Sequence, residues 1–311
     1  MEIREVDNTI YKELVKEPFC RFNQAEFYAL NAHKVDAVRY LIFNNGKDRF
    51  ALVLGLKGDV VKAPFSASFE CFSEITSNNK ITHYHEAVTA LIAYLKENHI
   101  SQITISMPPS YYDIAHISKM ENALFVAGFE RKHLDVNFEY YLEEFSESYA
   151  MDIPYNSRKS LNKSLKNNLS FEKTDDSKTV YQVIKQNRAE KGYPLWMSYE
   201  DVINTAKIIP SDYFLVRDEN NNPIASALVH QINDKILRVV YWGNIQESNH
   251  LCPMNFLSYN VFKYYSTTKF KIMDIGISTE DSIPNCGLCD FKEGIGCKCS
   301  VKNIWELKVK D

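Results

Sequence analysis

The sequence predicts an α+β protein built from two successive domains, each with a mixed sheet. The chain has 311 residues, of which 45% are hydrophobic and 13% aromatic, so it can bury two cores of ordinary size. In the second half, three successive strand patterns precede a helix, a strand, a short helix and a last strand. Residues 83–142 follow the same helix, strand, helix and strand order, which indicates a duplication of roughly 150 residues per copy.

The first domain is predicted from the periodicity of its apolar residues. Residues 133–141 alternate apolar with polar side chains, which is the period of a half-buried strand. The other predicted elements are strands at 36–43, 50–56 and 60–62, a helix at 83–98, a strand at 102–107, a Pro108-Pro109 loop and a helical segment that ends at Gly128.

The second domain begins with helical patterns and continues with strands that are separated by the turn sequences DENNNP and NDK. The predicted helices cover 155–168, 178–191, 199–208, 253–266 and 288–294, and the predicted strands cover 213–217, 224–232, 236–243, 270–275 and 299–309. The strand at 270–275 has no consistently polar face, so we expect it to be central and buried.

The boundary between the domains is predicted at the stretch EEFSESYAMDIP, which is acidic and polar and ends in a proline. We place it near residue 147, which gives domains over 1–147 and 148–311. The second is the proposed catalytic domain.

Composition limits the classes of partner and compartment. No apolar run approaches the length of a membrane span, and the start MEIREVDN is acidic where a secretory signal would be basic, so we expect a cytoplasmic protein. Seven cysteines in a long chain favour reduced thiols. The net charge of −4 argues against general DNA binding, although a local basic patch can hold a phosphorylated partner.

Several sequence words carry a resemblance to a known family. They are APFSASFECF at 63–72, SMPPSYYD at 106–113, SRKSLNKSLKNNLSF at 157–171, RAEKGYPLWMS at 188–198, and DIGISTED with NCGLCDFKEGIG at 274–296. In this order the chain resembles a tandem of two GNAT (acyl-CoA N-acyltransferase) folds, as in the FemAB-like branch. The resemblance implies an acyltransferase. The branch includes peptidyl transferases that move an amino acid from a charged tRNA onto a cell-wall precursor, and members thought to acylate sugars or other amines for surface polymers.

The cofactor prediction depends on residues 243–256, GNIQESNHLCPMNF. Typical GNAT enzymes hold the pyrophosphate of coenzyme A with a glycine-rich loop at this point, and this segment has no glycine after Gly243. Ser248, Asn249 and Asn255 are the candidate cofactor-binding donors. The acyl donor therefore stays open between acetyl-CoA, another acyl donor and a charged tRNA, and the expected acceptor is a small or nucleotide-linked amine.

The predicted helix at 155–168 is strongly basic. It carries Arg158, Lys159, Lys163 and Lys166, which form either a solvated face or a clamp for a phosphorylated substrate. We take Arg158 and Lys166 as candidate substrate-binding residues.

Lys292 and Glu293 in FKEGIG are the first candidates for catalysis. The resemblance implies a phenylalanine-lysine pair followed by phenylalanine-glycine, and Ile295 replaces that second phenylalanine. A lysine beside a strand end can stabilise an oxyanion, and a glutamate can accept the proton of an attacking amine. The alternative is a surface salt bridge on a short helix.

Two further candidates lie at strand ends. Asp274 in MDIG is either a catalytic carboxylate or a cap that binds nearby backbone N–H groups. Tyr241 at the end of the last meander strand is either a core residue or a substrate contact.

The spacing of the cysteines at 286–299 predicts that they bind no metal. Cys286 and Cys289 have the spacing of a zinc knuckle, but Cys297 and Cys299 are too close for a second one.

Two classes of function follow from these patterns. The first is an N-acyltransferase whose active region lies between the domains and is bounded by Arg158, Lys166, Tyr241, Asn255, Asp274 and Lys292. The second is a catalytically silent GNAT-like binding or scaffold protein in surface-polymer biosynthesis, which the missing glycine loop favours.

Overall fold

The computed structural model describes residues 1–309, and the chain divides into two compact units. The first unit comprises Met1–Val136 with Asp281–Ile283 and 300–309; the second comprises Asn137–Glu280 with Pro284–Cys299. The sequence placed the boundary near residue 147, in the acidic stretch. The units divide earlier, between Val136 and Asn137, inside a strand whose two ends belong to different units.

The predicted helices occur in the predicted order, together with three short helices, Asn8–Leu14, Ala25–Asn31 and Tyr149–Asp152, that the sequence pattern did not indicate. They are α1 (Asn8–Leu14), α2 (Ala25–Asn31), α3 (Ile81–Glu97), α4 (Ile114–Val126), α5 (Tyr149–Asp152), α6 (Tyr155–Ser164), α7 (Ser177–Lys191), α8 (Tyr199–Ala206), α9 (Pro253–Ser266) and α10 (Cys286–Gly294).

Strands alternate with these helices. They are β1 (Glu2–Val6), β2 (Ala37–Asn44), β3 (Asp48–Lys57), β4 (Val60–Ala63), β5 (Ser73–Glu74), β6 (Gln102–Ser106), β7 (Glu130–Tyr141), β8 (Ser170–Thr174), β9 (Ser211–Arg217), β10 (Pro223–Gln231), β11 (Ile236–Asn244), β12 (Ile272–Ile277), β13 (Thr279–Glu280), β14 (Ile283–Pro284) and β15 (Lys298–Lys308).

The first unit has a mixed sheet. Strands β1 to β4 pair antiparallel in sequence order, β4 pairs parallel with β6, and β6 pairs antiparallel with β15. Helices α1 and α2 cover β2 and β3 through a core that includes the rings of Tyr11, Tyr28 and Tyr40. The parallel pair needs a crossover connection, which α3 supplies.

The second unit repeats this plan. Strands β8 to β11 form an antiparallel meander, β11 pairs parallel with β12 after the crossover helix α9, and β12 pairs antiparallel with the end of β7. Helix α7 packs across β10 and β11 through Val180 and Ile184. The prediction of an α+β fold with mixed parallel and antiparallel strand pairing is confirmed, although the strands form one large mixed sheet, and the central, buried position of β12 is confirmed as well.

One predicted helix is too long. The basic helix α6 ends at Ser164, and not at Asn168 as its charge pattern suggests. The chain leaves the helix through tight turns, in which the N–H of Lys166 bonds to the carbonyl of Lys163, and Asn168 then takes a left-handed conformation with φ of 48°. Asparagine tolerates the left-handed conformation, and a helix does not continue through a residue that adopts it.

Candidate functional site

The parallel strands of the second unit separate at one point. β11 and β12 pair only as far as Arg238 opposite Asp274. Beyond it β11 contains a bulge, because Leu228 faces Tyr241 and Val229 faces Val239, so that Val240 is the extra residue. Open sheets bind ligands at the carboxyl ends of parallel strands that part in this way. We therefore take this divergence as the candidate site.

Asp274 lies at the point of divergence and is fully buried. Its Oδ2 forms an ion pair with Arg238 Nη1, and its Oδ1 accepts hydrogen bonds from the N–H of Gly276 at 2.8 Å and from Asn137 Nδ2 at 3.1 Å. Arg238 is itself only 9% exposed. Of the two sequence-based interpretations, the backbone cap describes what this carboxylate does in the fold.

Lys292 is buried on α10, with 2% of its surface exposed. Its Nζ donates to the carbonyl oxygens of Gly276 at 2.8 Å and Ile277 at 3.0 Å, which belong to the end of β12. It also lies 5.3 Å from the centroid of the Phe138 ring. Burial lowers the pKa of this ammonium to about 8, because a cation is poorly solvated there. The surface salt bridge considered for Lys292 is therefore wrong.

Helix α10 is fixed in place at both ends. Asn285 caps its start by accepting the N–H of Leu288 at 3.1 Å. Near its end, a Cβ at Gly294 would overlap Ser157 Oγ of α6, so glycine allows the two helices to touch. Glu293 is exposed on the same turn as Lys292 and is thus accessible to a ligand from solvent.

The two predicted basic residues differ in position. Arg158 is half-buried on α6, and its Nη1 lies 3.5 Å from the sulfur of Met151. Lys166 is exposed and lies beyond the end of the helix, so it does not share a helical face with Arg158. Only Arg158 is carried by the helix that contacts α10.

Tyr241 belongs to the core of the second unit, being 8% exposed, and one face of its ring contacts a cation. The guanidinium of Arg188 on α7 lies 5.3 Å from the centroid of this ring and 5.9 Å from that of Tyr193. Burial lowers the pKa of Arg188, and its buried Nε has no hydrogen-bond partner within residues 1–309. No ion pair of that range includes Arg188.

Arg188 is a candidate site residue that the sequence pattern did not indicate. The residue lies inside the segment RAEKGYPLWMS, but Tyr241 is too far along the chain for any local pattern to indicate their contact. Tyr193 follows Gly192, whose left-handed conformation ends α7, and its hydroxyl accepts from Asn285 Nδ2 at 3.0 Å. This hydrogen bond links the cationic end of α7 to the residue that caps α10.

The comparisons with known proteins bear on the fold. No family model matches the chain, and no curated protein matches it. The structure of FemX superposes with a TM-score of 0.70 at 13% identity, covering 98% of this chain and 97% of that one. A tandem GNAT protein from the clavulanic acid biosynthesis pathway gives 0.57 at 8% identity, with coverages of 100% and 99%. L-PGS from Bacillus licheniformis gives 0.61 at 10%, with coverages of 99% and 94%.

The fold is that of the FemAB-like GNAT proteins. This agrees with the resemblance that the sequence words indicate, and at such low identities the likeness concerns the fold.

Two of the three residues predicted to bind a GNAT cofactor form hydrogen bonds within their own loop. Ser248 is buried and its Oγ donates to the carbonyl of Ile245 at 2.7 Å, while Asn249 Oδ1 accepts from Asn244 Nδ2 at 2.7 Å. Asn255 lies half-buried in the first turn of α9. The segment does not fit the glycine-lined cradle that holds the pyrophosphate of coenzyme A in GNAT folds.

Metal ligands do not converge in the described part of the chain. Within residues 1–309, no three side chains of His, Cys, Asp or Glu come together as a metal site, and the late cysteines range from buried Cys297 to exposed Cys286 and Cys299. The same residues contain no helix long and apolar enough to cross a lipid bilayer.

Proposed function

We propose that this protein is an N-acyltransferase that moves an acyl or aminoacyl group to an amine acceptor, and that the second unit carries the reaction. The observation that carries the proposal is Lys292, a cation buried where the parallel strands of a GNAT-type sheet part. GNAT-type folds are known to support acyl transfer, and a buried ammonium is an effective partner for the negative charge that this chemistry generates.

The role of Lys292 follows from its hydrogen bonds. An ammonium has three N–H donors, and two of them are held by the carbonyls of Gly276 and Ile277. The third can donate to the carbonyl oxygen of the acyl donor. When the amine nitrogen attacks the carbonyl carbon, charge develops on that oxygen, and the low local dielectric strengthens the interaction. Collapse of the intermediate breaks the bond to the leaving group, which keeps the bonding electron pair and takes up the proton that the amine has released.

Glu293 is the proposed proton acceptor. It lies on the same helix as Lys292 and is exposed, so it can accept a proton from the attacking amine without a prior conformational change. Asp274 is less suited to that step, because Arg238, Gly276 and Asn137 already occupy its oxygens.

Arg188 is the proposed anchor for an anionic part of the acceptor. Its guanidinium lies close to the rings of Tyr193 and Tyr241 and is not neutralised by a carboxylate ion pair within residues 1–309. A phosphate or carboxylate can satisfy it by paired hydrogen bonds. A nucleotide-linked amine, as in a cell-envelope precursor, has both the amine and the phosphates, and Arg158 is a second candidate contact.

The proposed donor is an aminoacyl ester of charged tRNA. Coenzyme A lacks its usual cradle in this chain, whereas the surface of α6 is basic and Lys159 and Lys163 are exposed on it. Phosphate contacts from such residues supply most of the affinity for RNA. A cytoplasmic location is part of the same proposal, since charged tRNA is found there.

A catalytically silent binding protein is the second candidate. It is favoured by the hydrogen bonds of Lys292, because two donors of its ammonium are already bound to backbone carbonyls. Such a protein would still use Arg188 to recognise a nucleotide-linked surface-polymer precursor.

A transfer assay separates the two candidates. The purified protein is incubated with nucleotide-linked amino sugars and with either charged tRNA or acetyl-CoA. The mass of the acceptor is then measured by mass spectrometry. A mass gain with charged tRNA supports the transferase. Binding of the nucleotide-linked compound without any mass gain from either donor would support the silent protein.

A further inference from the structure

Two successive carbonyls of β12 bind the same ammonium. Gly276 O and Ile277 O lie 2.8 and 3.0 Å from Lys292 Nζ. In a regular strand, successive residues face opposite sides, so neighbouring carbonyls point away from each other. A single donor atom cannot bond both of them unless the backbone departs from the strand geometry.

The departure occurs at Gly276. Its φ is +82°, in the left-handed region that glycine adopts without strain. The pairing with β7 shifts at the same place, since Asp274 faces Glu139 while Gly276 faces Phe138, which leaves Ile275 as the extra residue. The bulge therefore turns the strand end and places both carbonyls on one side.

A buried polar network holds this bulge. Asp274 Oδ1 accepts the N–H of Gly276, two residues further along the chain, and also Asn137 Nδ2 from β7. Its Oδ2 pairs with Arg238, which lies directly opposite on β11. The carboxylate thus ties the turned backbone to both neighbouring strands, and because Asp274 is fully buried, water does not compete for these bonds.

We propose that Asp274, Arg238, Asn137 and Gly276 act together as a positioning device that aims two backbone carbonyls at Lys292 and so fixes the direction of its remaining N–H donor. Asp274 is then a positioning residue and takes no proton in the reaction. The inference rests on the proposed function only in treating Lys292 as the acting group.

The device explains why a cation stays in a buried place. A buried ammonium loses its hydration, which is costly unless acceptors replace the water. The two carbonyls replace two of its water contacts, and the rigid bulge prevents them from turning away. The ammonium then needs no large rearrangement when charge develops beside it.

The test measures the amine of Lys292 directly and needs no substrate. Trace labelling with acetic anhydride is followed against pH, and the Lys292 peptide is quantified by mass spectrometry. The wild type should label with a midpoint near pH 8, the pKa that burial gives this group. Gly276→Ala strains the left-handed backbone, so it should turn the carbonyls away, remove acceptors that stabilise the charged form and lower the midpoint by about one unit.

Gly276→Asn is the matched control. Asparagine adds a side chain at the same place but tolerates the left-handed conformation better than alanine. A Cβ there would have only ordinary contact, 3.5 Å from Arg238 Nη2, so space does not distinguish the two variants. The midpoint of Gly276→Asn should stay closer to the wild type than that of Gly276→Ala.

Asn137→Ala covers the case in which Gly276→Ala does not fold. It removes one bond to Asp274 without a change in charge and loosens the bulge, so the midpoint should again fall. An unchanged midpoint in folded Gly276→Ala, or in Asn137→Ala if the former does not fold, overturns the inference. A protein that transfers no acyl group but shows these shifts would refute the proposed function alone.

Discussion

Two buried carboxylates, one in each unit, are stabilised in different ways. Glu70 in the first unit is 1% exposed and accepts from the hydroxyl of Tyr28 at 2.6 Å and the N–H of Val53 at 3.2 Å. Its Oε2 has no hydrogen-bond partner within residues 1–309, and no ion pair of that range includes it. Asp274 in the second unit is equally buried but is paired with Arg238 and has two further hydrogen bonds.

The difference shows where the molecule maintains charge. Burial raises the pKa of Glu70 to about 8, so this carboxyl is largely protonated at neutral pH and belongs to a neutral network of tyrosines. The second unit instead keeps a guanidinium, a carboxylate and an ammonium around one strand end. Fixed charge in a buried place can stabilise charge that develops during a reaction, and this supports placing the chemistry in the second unit.

Breaking the ion pair of the second unit should have the largest effect on stability. Arg238→Gln leaves the carboxylate of Asp274 buried without its cation, which costs about 3–5 kcal/mol. Urea denaturation with an unchanged slope measures the loss. Adding Asp274→Asn should restore part of it, because the uncompensated charge disappears. A loss below about 1 kcal/mol for Arg238→Gln would show that the pair does not hold the strand end.

Glu70→Gln should make the first unit less sensitive to pH. The carboxyl has a raised pKa in the folded chain, so its contribution to stability is complete below its ordinary value of 4.5 and is lost as pH rises to about 8. Relative to the wild type, the variant should gain roughly 4 to 5 kcal/mol between pH 4 and pH 9. Denaturation at both pH values measures the gain. Glu97→Gln, an exposed site, is the control and should show no comparable change.

Lys292→Met tests the role of buried charge in the second unit, because it removes the ammonium with little change in side-chain volume. Turnover should fall by about 10²-fold, the scale of losing one donor to a developing oxyanion, while the fold is retained because the apolar side chain fits a buried site. The control is Lys298→Met, since Lys298 is exposed and pairs with Glu144. Equal losses in both variants would point to a general effect of charge on the protein.

Arg188→Lys should have the smallest effect. Lysine keeps the charge but loses the planar group that lies close to the rings of Tyr193 and Tyr241 and binds two oxygens at once. The KM for a nucleotide-linked acceptor should rise about tenfold at constant kcat, which corresponds to about 1.4 kcal/mol of uniform binding. Arg217→Lys, at a site paired with Glu172, should leave KM unchanged. A fall in kcat at constant KM would instead place Arg188 at the reacting atoms.

Most elements of the fold were predictable because their signals are local. The alternation in β7 and the turn sequences between β9, β10 and β11 are read from neighbours in the chain. The end of α6 was missed because a left-handed Asn168 outweighed a helical charge pattern. The boundary near residue 147 followed composition, whereas the units divide inside a continuous strand, which composition does not mark.

By itself, the sequence determined the order of most helices and strands, the mixed strand pairing of each unit and the position of Lys292 on a short helix beside a strand end. The tertiary structure alone decided that Lys292 is buried on two carbonyls, that Asp274 is a paired clamp and that Arg188 lies close to two tyrosine rings. The physical reason is the distance along the chain. Arg238 and Asn137, two of the partners of Asp274, are 36 and 137 residues away, so no local pattern specifies them and only strand pairing brings them together.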